Sequence, residues 1–565
     1  MKKMVDLHMH IIPGVDDGSV DLKMSEKMLK TAAEQGVEVV FATSHSVAFE
    51  KNTSHVREQY RSLQKMVKEE NIPITLYLGS EVYFDPKYSR QIINNLYSGR
   101  IPSLNGTKYV LTEFPAGSGE DALHYIGLLV KNGWIPIISH AERMEDVEID
   151  LFNKLKENGC LIQINAYSIV GSGGEPARKK ALELLDNELV DFVGSDAHRA
   201  GLREEDLKKG VEYLYEHYDE QYVDGILHNN AYIYILNDQV KEDDIESNIW
   251  IDGMMGVVTG DALGTPVQFV TRENVKKAPL TTMDGFGTYD MPVGAWSDDG
   301  SMALATLDSI RELGTIDYDD IMMRFVMWTS RGEYTPTGTA FDIGNTCMDA
   351  ICNYARERDY QTCGKTGERA NGNGAIMRIM PICLYGYIKN KSGEITLSEA
   401  ILYIHETSAL THNHLRSQIA CGIYFFMIQS ILDNGGSITD RLQTGMDAAK
   451  EFYNREVYQK EWAKFKRMEN LSEFAKLPEE KIESTGYVVD SLEAAVWSII
   501  TTDNFENALL RSVNLGDDTD TIGAITGGLA ALYYGYNSIP AIWRKAVIKS
   551  EEIIALCELT ADVIY

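Results

Sequence analysis

The sequence predicts a multidomain chain, with an α/β domain built as a distorted TIM-like (β/α)7 barrel followed by an all-α domain. Three observations carry this. The 565 residues are several times the usual domain length. Up to about Asn237, short apolar runs alternate with amphipathic helical stretches, the pattern of parallel strands joined by helical crossovers. After Trp250 the strand-like runs disappear, and long helical stretches follow, interrupted by Gly- and Asp-rich loops.

In chain order, the expected strands are Met4–Met9, Val37–Ser44, Ile74–Gly79, Tyr109–Thr112, Ile135–Ser139, Cys160–Ile164 and Asp191–Gly194. The first crossover helix is expected over Leu22–Gln35. It carries Leu22, Met28, Leu29 and Ala32 on one face, and Gly36 stops it. The acidic stretch "NDQVKEDDIES" lacks aromatics and periodicity and reads as a linker. It divides the chain into domains at 1–240 and 250–565, with the linker at 241–249. In the second domain, helices are expected over Asp299–Ile310, Phe341–Tyr354, Leu415–Leu432 and Asp490–Ile500.

Composition narrows the function classes. The chain is 44% hydrophobic and 24% charged, as globular proteins are. No stretch approaches the roughly 20 apolar residues of a membrane span, and polar His8, His10 and Asp16 follow the N-terminal lysines too closely for a signal peptide. A net charge of −31 repels nucleic acid and anionic membranes, so neither is an expected stable partner. Seven scattered cysteines without a CxxC pair point to a reducing, cytoplasmic setting. Cys347, Cys352 and Cys421 fall on helical segments and are expected in the core.

The ends of the expected strands hold the first chemistry. "DLHMH" places His8 and His10 two residues apart, on one face of a strand. Later strands finish on His45, Glu81, Glu113, His140, and Asp196 with His198, and Asp16 lies in the loop after the first strand. In parallel βα barrels these ends build the active site. Nine such groups at one mouth are best satisfied by several divalent metals, which bridge phosphate and activate water.

With these residues in view, the first domain resembles the PHP (polymerase and histidinol phosphatase) family. "DLHMHIIPGVDDGS", "SHS", "GSEVYF", "SHAERM" and "GSDAHR" look most like the bacterial PHP-type tyrosine phosphatases. The resemblance implies a phosphoesterase with two to three divalent metals, Mn, Zn or Fe. Its ligands would be His8, His10, Asp16, His45, Glu81, Glu113, His140, Asp196 and His198. Arg143 matches the position of that family's phosphate-binding arginine, and a guanidinium fork suits a phosphate dianion.

The second domain carries carboxylates without histidine. "GAWSDDGSMA" holds Ser297, Asp298 and Asp299. "NLGDDTDTIGAITGG" holds Asp517, Asp518, Asp520 and Thr521. Either segment alone could be a helix cap, but together they form an all-oxygen set suited to Mg²⁺. "GVVTGDALGTPVQF", "WSDDGSM", "FDIGNT", "GNGAIMRIMP", "TGYVVDSLEAAVW" and "VNLGDDTDTIGAITGGLA" resemble the ADP-ribosylglycohydrolases, in family order from about Ile251 onward. That resemblance implies two Mg²⁺ held by Ser297, Asp298, Asp299, Asp518, Asp520 and Thr521. Asn371, Gly372, Asn373, Gly374, Ala375 and Met377 would line the ADP-ribose cleft. His412 and Tyr487 fall near cleft positions, and a core role for His412 is the alternative. Asp299 and Asp520 are the expected catalytic carboxylates. Several relatives carry glutamate where this chain has Gln268, an amide that cannot act as a base.

The expected whole is therefore a bifunctional hydrolase. Its substrates are phosphoesters and ADP-ribose, either small or linked to macromolecules. One form of the pairing acts in series on ADP-ribose 1″,2″-cyclic phosphate or ADP-ribose 1″-phosphate. A second removes ADP-ribose from protein or nucleic acid beside a separate phosphatase. A third uses ADP-ribose binding to regulate the phosphoesterase.

Overall fold

The N-terminal strands run parallel in two sheets. One holds β1 (Met4–Met9), β2 (Val37–Ala42) and β3 (Thr75–Leu78). The other holds β4 (Glu81–Tyr83), β5 (Tyr109–Glu113), β6 (Ile135–Ile138), β7 (Leu161–Asn165) and β8 (Phe192–Gly194), in sequence order. The computed structural model describes residues 3–115, 121–144, 147–200, 204–236 and 245–565. It divides into two units, Met1–Lys241 and Glu242–Tyr565.

Single bridges link the two sheets just past the strand ends. Met9 pairs with Ala197, and His45 pairs with Glu81. The His10 amide donates to the Ala197 carbonyl at 3.0 Å, the Asp196 amide to the His8 carbonyl at 2.8 Å, and the Glu81 amide to the Ser44 carbonyl at 3.1 Å. These bonds hold the C-terminal ends of β1, β2 and β8 and the start of β4 side by side. Helices follow the strands, as at Leu22–Glu34, where the Asp21 carboxylate caps the Met24 amide and Met28, Leu29 and Ala32 face the core.

One expected strand is two. The run Ile74–Gly79 continues into a second short strand, and the chain steps sideways at Gly79 and Ser80 between β3 and β4. A Cβ at Gly79 would lie 2.7 Å from Leu104, and the Ser80 hydroxyl donates to the Pro102 carbonyl at 2.7 Å. The step moves pairing onto the end of β2 and turns Glu81 inward.

The second unit is helical. Its central pair is Ile249–Gly264 against Thr519–Tyr534. Glycines at four-residue spacing bring the two backbones into contact. A Cβ on Gly256 would lie 2.2 Å from the Gly527 carbonyl oxygen, and one on Gly260 1.9 Å from that of Gly523. Gly264 abuts the Thr519 carbonyl, 2.3 Å from such a Cβ. Only glycine permits this approach. It sets the start of the second helix, with its carboxylates, against the end of the first.

Several expectations change here. Residues 341–344 are loop, and the helix begins at Asn345, because Asp342 takes a left-handed backbone with φ 53°. Cys352 is exposed rather than core, while Cys347 and Cys421 are buried. Helix Leu415–Asp433 is, contrary to expectation, long and apolar enough to cross a membrane, but it is mostly buried in this unit's core. Of the expected linker, residues 241–244 lie outside the described residues, and helix begins at Ile249.

Candidate functional sites

In the first unit, Glu81 sits at the middle of the histidines. Its carboxylate lies 2.7 Å from His140 Nε2, 3.1 Å from His45 Nδ1, 3.4 Å from His10 Nε2 and 3.5 Å from His8 Nε2. His8 and His10 bring their Nε2 atoms within 3.2 Å of each other. Asp196 Oδ1 lies 3.5 Å from His8 Nε2 and 3.4 Å from His198 Nδ1, and Glu113 reaches to 3.8 Å from His140. Burial by itself would raise the Glu81 pKa, but the surrounding imidazoles hold it well below the carboxylate range. Burial would lower that of His10, but Asp16 and Glu81 push it up to about 10. Imidazole nitrogens and carboxylates converging around a buried Glu81 are a donor set that fits divalent cations.

Of the Asp16–Asp17 doublet, the structure turns Asp17 rather than the expected Asp16 toward the histidines. Asp16 Oδ2 is engaged by His10 Nδ1 at 2.9 Å and by the His45 amide, and its Oδ1 by the Gly18 amide. Its oxygens are thus engaged within the protein and hold the His10 ring in place. Asp17 Oδ1 instead lies 3.4 Å from His45 Nε2 and 3.6 Å from His198 Nε2, and groups with those rings and His10.

A second layer fixes the first. Gln163 in the middle of β7 joins His8 Nδ1 at 3.3 Å and accepts from the His140 amide at 2.9 Å. Arg143 donates through Nη2 to Asp196 Oδ2 and to the Tyr167 hydroxyl, both at 2.7 Å, with its side chain 40% exposed. His140 and Asp196 adopt positive φ of 35° and 51°, strain that clusters where function holds residues in place. The polar run "QINAY", with Gln163, Asn165 and Tyr167, was the available signal for this layer, and sequence reasoning passed over it.

In the second unit, carboxylates gather at two helix N-termini. Asp298 and Asp299 open helix Asp298–Leu313, and Asp518 directly precedes helix Thr519–Tyr534, whose first turn holds Asp520. The positive ends of both helix dipoles favour these charges. Buried Asp261 accepts from the Ser297 and Gly300 amides at 2.8 Å and so anchors the first of these helices. Asp298, Asp520 and half-buried Asp342 each offer one oxygen within 4.8 Å of the others. Burial, then repulsion between the carboxylates, pushes the pKa values of Asp298, Asp299 and Asp520 well above the ordinary range. Asp299 Oδ1 and Asp520 Oδ2 are buried without a hydrogen-bond partner among the described residues. Orphaned, uncompensated oxygens of this kind fit hard cations.

The remaining expected residues surround this cluster unevenly. Ser297 Oγ lies 3.3 Å from Asp299 Oδ2, and the Thr521 amide donates to Asp520 Oδ1 at 2.8 Å. Asn373 donates to Asp518 Oδ2 at 2.6 Å, and Gln268 Nε2 lies 3.4 Å from Asp518 Oδ1. Asn371 meets helix Val488–Ile500 by accepting from the Val488 amide, and Gly372 pairs with Tyr487 in a single antiparallel bridge. Ala375 and Met377 are core. His412 is buried beneath Gly372 and Gly374. Asp342 and Asp261 were missed as site residues, although both stand in the motifs "FDIGNT" and "GDALG".

Residues 245–564 match the ADP-ribosylglycohydrolase family, and residues 4–236 match the capsular polysaccharide synthesis family CpsB/CapC. The chain is 32% identical over 305 residues to the ADP-ribosylarginine hydrolase Tri1 of Serratia proteamaculans, covering 54% of this chain and 76% of that protein. It is 32% identical over 203 residues to the putative tyrosine-protein phosphatase CapC of Staphylococcus aureus, covering 34% of this chain and 77% of that one. Solved structures of YwqE from Bacillus subtilis and CpsB from Streptococcus pneumoniae are described as metal-dependent tyrosine phosphatases. Their match has 29% identity, covers 39% of this chain and 90% of theirs, and has a TM-score of 0.35.

Proposed function

This chain belongs to the ADP-ribosylglycohydrolase family through residues 245–564 and carries a CpsB/CapC-like phosphatase domain over residues 4–236, and from that premise we propose a two-site hydrolase that releases ADP-ribose from arginine at one site and phosphate from an ester at the other. Both domains fall in hydrolase families. One observation carries the reading at each site. In the first unit it is Glu81 shared among four imidazoles. In the second it is the carboxylate cluster at two helix starts.

His8, His10, His45, Glu81, Glu113, His140, Asp196 and His198, which the PHP resemblance implies, would hold divalent cations in the first unit together with Asp17, which the geometry adds. Ser297, Asp298, Asp299, Asp518, Asp520 and Thr521 would hold Mg²⁺ in the second. When bound, such ions would supply a water whose pKa is lowered toward neutrality and would neutralise charge on the oxygens they hold. The protein's own groups do the rest. Arg143, anchored by one nitrogen on Asp196 and Tyr167, binds a phosphate dianion with its remaining N–H groups. In the second site Asp342 is the half-buried member of its trio, and the Tyr289 hydroxyl holds one of its oxygens. We assign Asp342 to take the proton of the attacking water, a role Gln268 cannot fill. Asn373 and Gln268 orient Asp518.

The test compares wild type, His8→Ala with His10→Ala, and Asp298→Asn with Asp520→Asn, each with Mn²⁺ and Mg²⁺. Substrates are ADP-ribosyl-arginine, an aryl phosphate and ADP-ribose 1″,2″-cyclic phosphate. The histidine variant should lose phosphate release and keep ADP-ribose release, and the aspartate variant the reverse. Wild-type inertness toward ADP-ribosyl-arginine, with turnover of the cyclic phosphate, would replace this reading by the series reaction.

A further inference from the structure

Arg378 is completely buried, and among the described residues it has no carboxylate partner. Its Nε donates to the Gly374 carbonyl at 3.2 Å. Its Nη2 donates to Thr411 Oγ1 at 2.8 Å and to the Thr407 carbonyl at 3.3 Å. Its guanidinium lies 4.9 Å from the Phe325 ring centroid. Thr411 Oγ1 in turn lies 2.9 Å from His412 Nδ1. The other ring nitrogen, His412 Nε2, forms no hydrogen bond among the described residues and faces the two glycines of the "GNG" loop. A Cβ on Gly372 would lie 3.4 Å from it, and one on Gly374 3.5 Å.

The protons along Arg378, Thr411 and His412 have one favoured arrangement. Arginine only donates, so Thr411 Oγ1 accepts from Arg378. The hydroxyl proton then needs an acceptor. An imidazole nitrogen is a far stronger one than the neighbouring Cys347 thiol. The hydroxyl therefore donates to Nδ1, and the ring's proton sits on Nε2. We propose that Arg378 and Thr411 are positioning residues that fix His412 as its Nε2–H tautomer, so that the ring offers an uncharged donor to an oxygen of the ADP-ribosyl group beside Gly372 and Gly374. Burial, then the Arg378 charge, pushes the ring's pKa down to about 3, which keeps this donor neutral. The ligand half of the proposal rests on the ADP-ribose reading above, and the tautomer half does not.

The experiment uses the full chain with ¹⁵N-labelled histidine, His412 being identified by the signal lost in His412→Gln. The wild-type spectrum should show Nδ1 bare and Nε2 protonated, unchanged from about pH 5 to pH 9. A protonated Nδ1, or titration within that range, overturns the relay. Titration with ADP-ribose should give a Kd weakened about tenfold in Thr411→Val and restored in Thr411→Ser, with Mg²⁺ affinity unchanged. An unchanged Kd in Thr411→Val overturns the role of the relay in binding. A wild type that does not bind ADP-ribose overturns the ligand half, and the spectrum still decides the tautomer.

Discussion

Asp16 and Asp17 are neighbours in a doublet, and their surroundings separate them. Asp16 has a buried side chain with both oxygens bonded inside the protein, whereas Asp17 is largely exposed and points its Oδ1 at two imidazoles. Asp17→Ala should therefore lower the bound metal by about one ion per chain, read by elemental analysis. Asp16→Asn should keep the metal count and weaken affinity about tenfold, the usual effect of losing a ligand's supporting hydrogen bond. In the second site, Asp342→Asn should lower kcat for ADP-ribose release about a hundredfold or more, with ADP-ribose Kd within about threefold. Loss of binding with kcat preserved would contradict the base assignment. The sequence displayed these residue types plainly but not which oxygen of a doublet is free. That choice depends on the amides of Gly18 and His45 folding over Asp16. Asp342 was hidden differently, inside a stretch that reads as helix until its left-handed backbone is seen.

At the scale of elements, the glycine stripe on helix Ile249–Gly264 determines how closely the two carboxylate-bearing helix starts approach. Gly260→Ala forces a methyl into the Gly523 carbonyl and should cost about 3 kcal/mol or more in unfolding free energy. Glycohydrolase activity should fall with it, while phosphatase activity stays. Gly435, whose Cβ would meet nothing within 4 Å, is the control, and Gly435→Ala should leave both unchanged. Equal melting of Gly260→Ala and wild type would contradict the packing argument. The four-residue glycine spacing was legible in "GVVTGDALG", but its partner stripe lies more than 250 residues on and became visible only in the fold. Strand positions were legible from apolar runs. The break at Gly79 was not, because it answers to Leu104 from a distant loop.

For the whole molecule, the change from alternating short runs to long helical periodicity marked two units with separate chemistries, and charge accounting predicts how the second responds to its ions. Asp298, Asp299 and Asp520 have pKa values raised above the ordinary 3.8. The metal-free folded state therefore binds more protons than the unfolded state above about pH 4, and its stability falls as pH rises. In chelator, Tm of this unit should drop as pH rises above about 4, and Mg²⁺ should raise it more at the higher pH. Asp298→Asn with Asp520→Asn should flatten both responses. The central claim is that two independent sites on one chain each carry one hydrolysis. Its most direct test is a single assay holding both ADP-ribosyl-arginine and an aryl phosphate, run with the wild type and the two site variants. Two products from the wild type and a different single product from each variant is the predicted result. Loss of both products in either variant would contradict it.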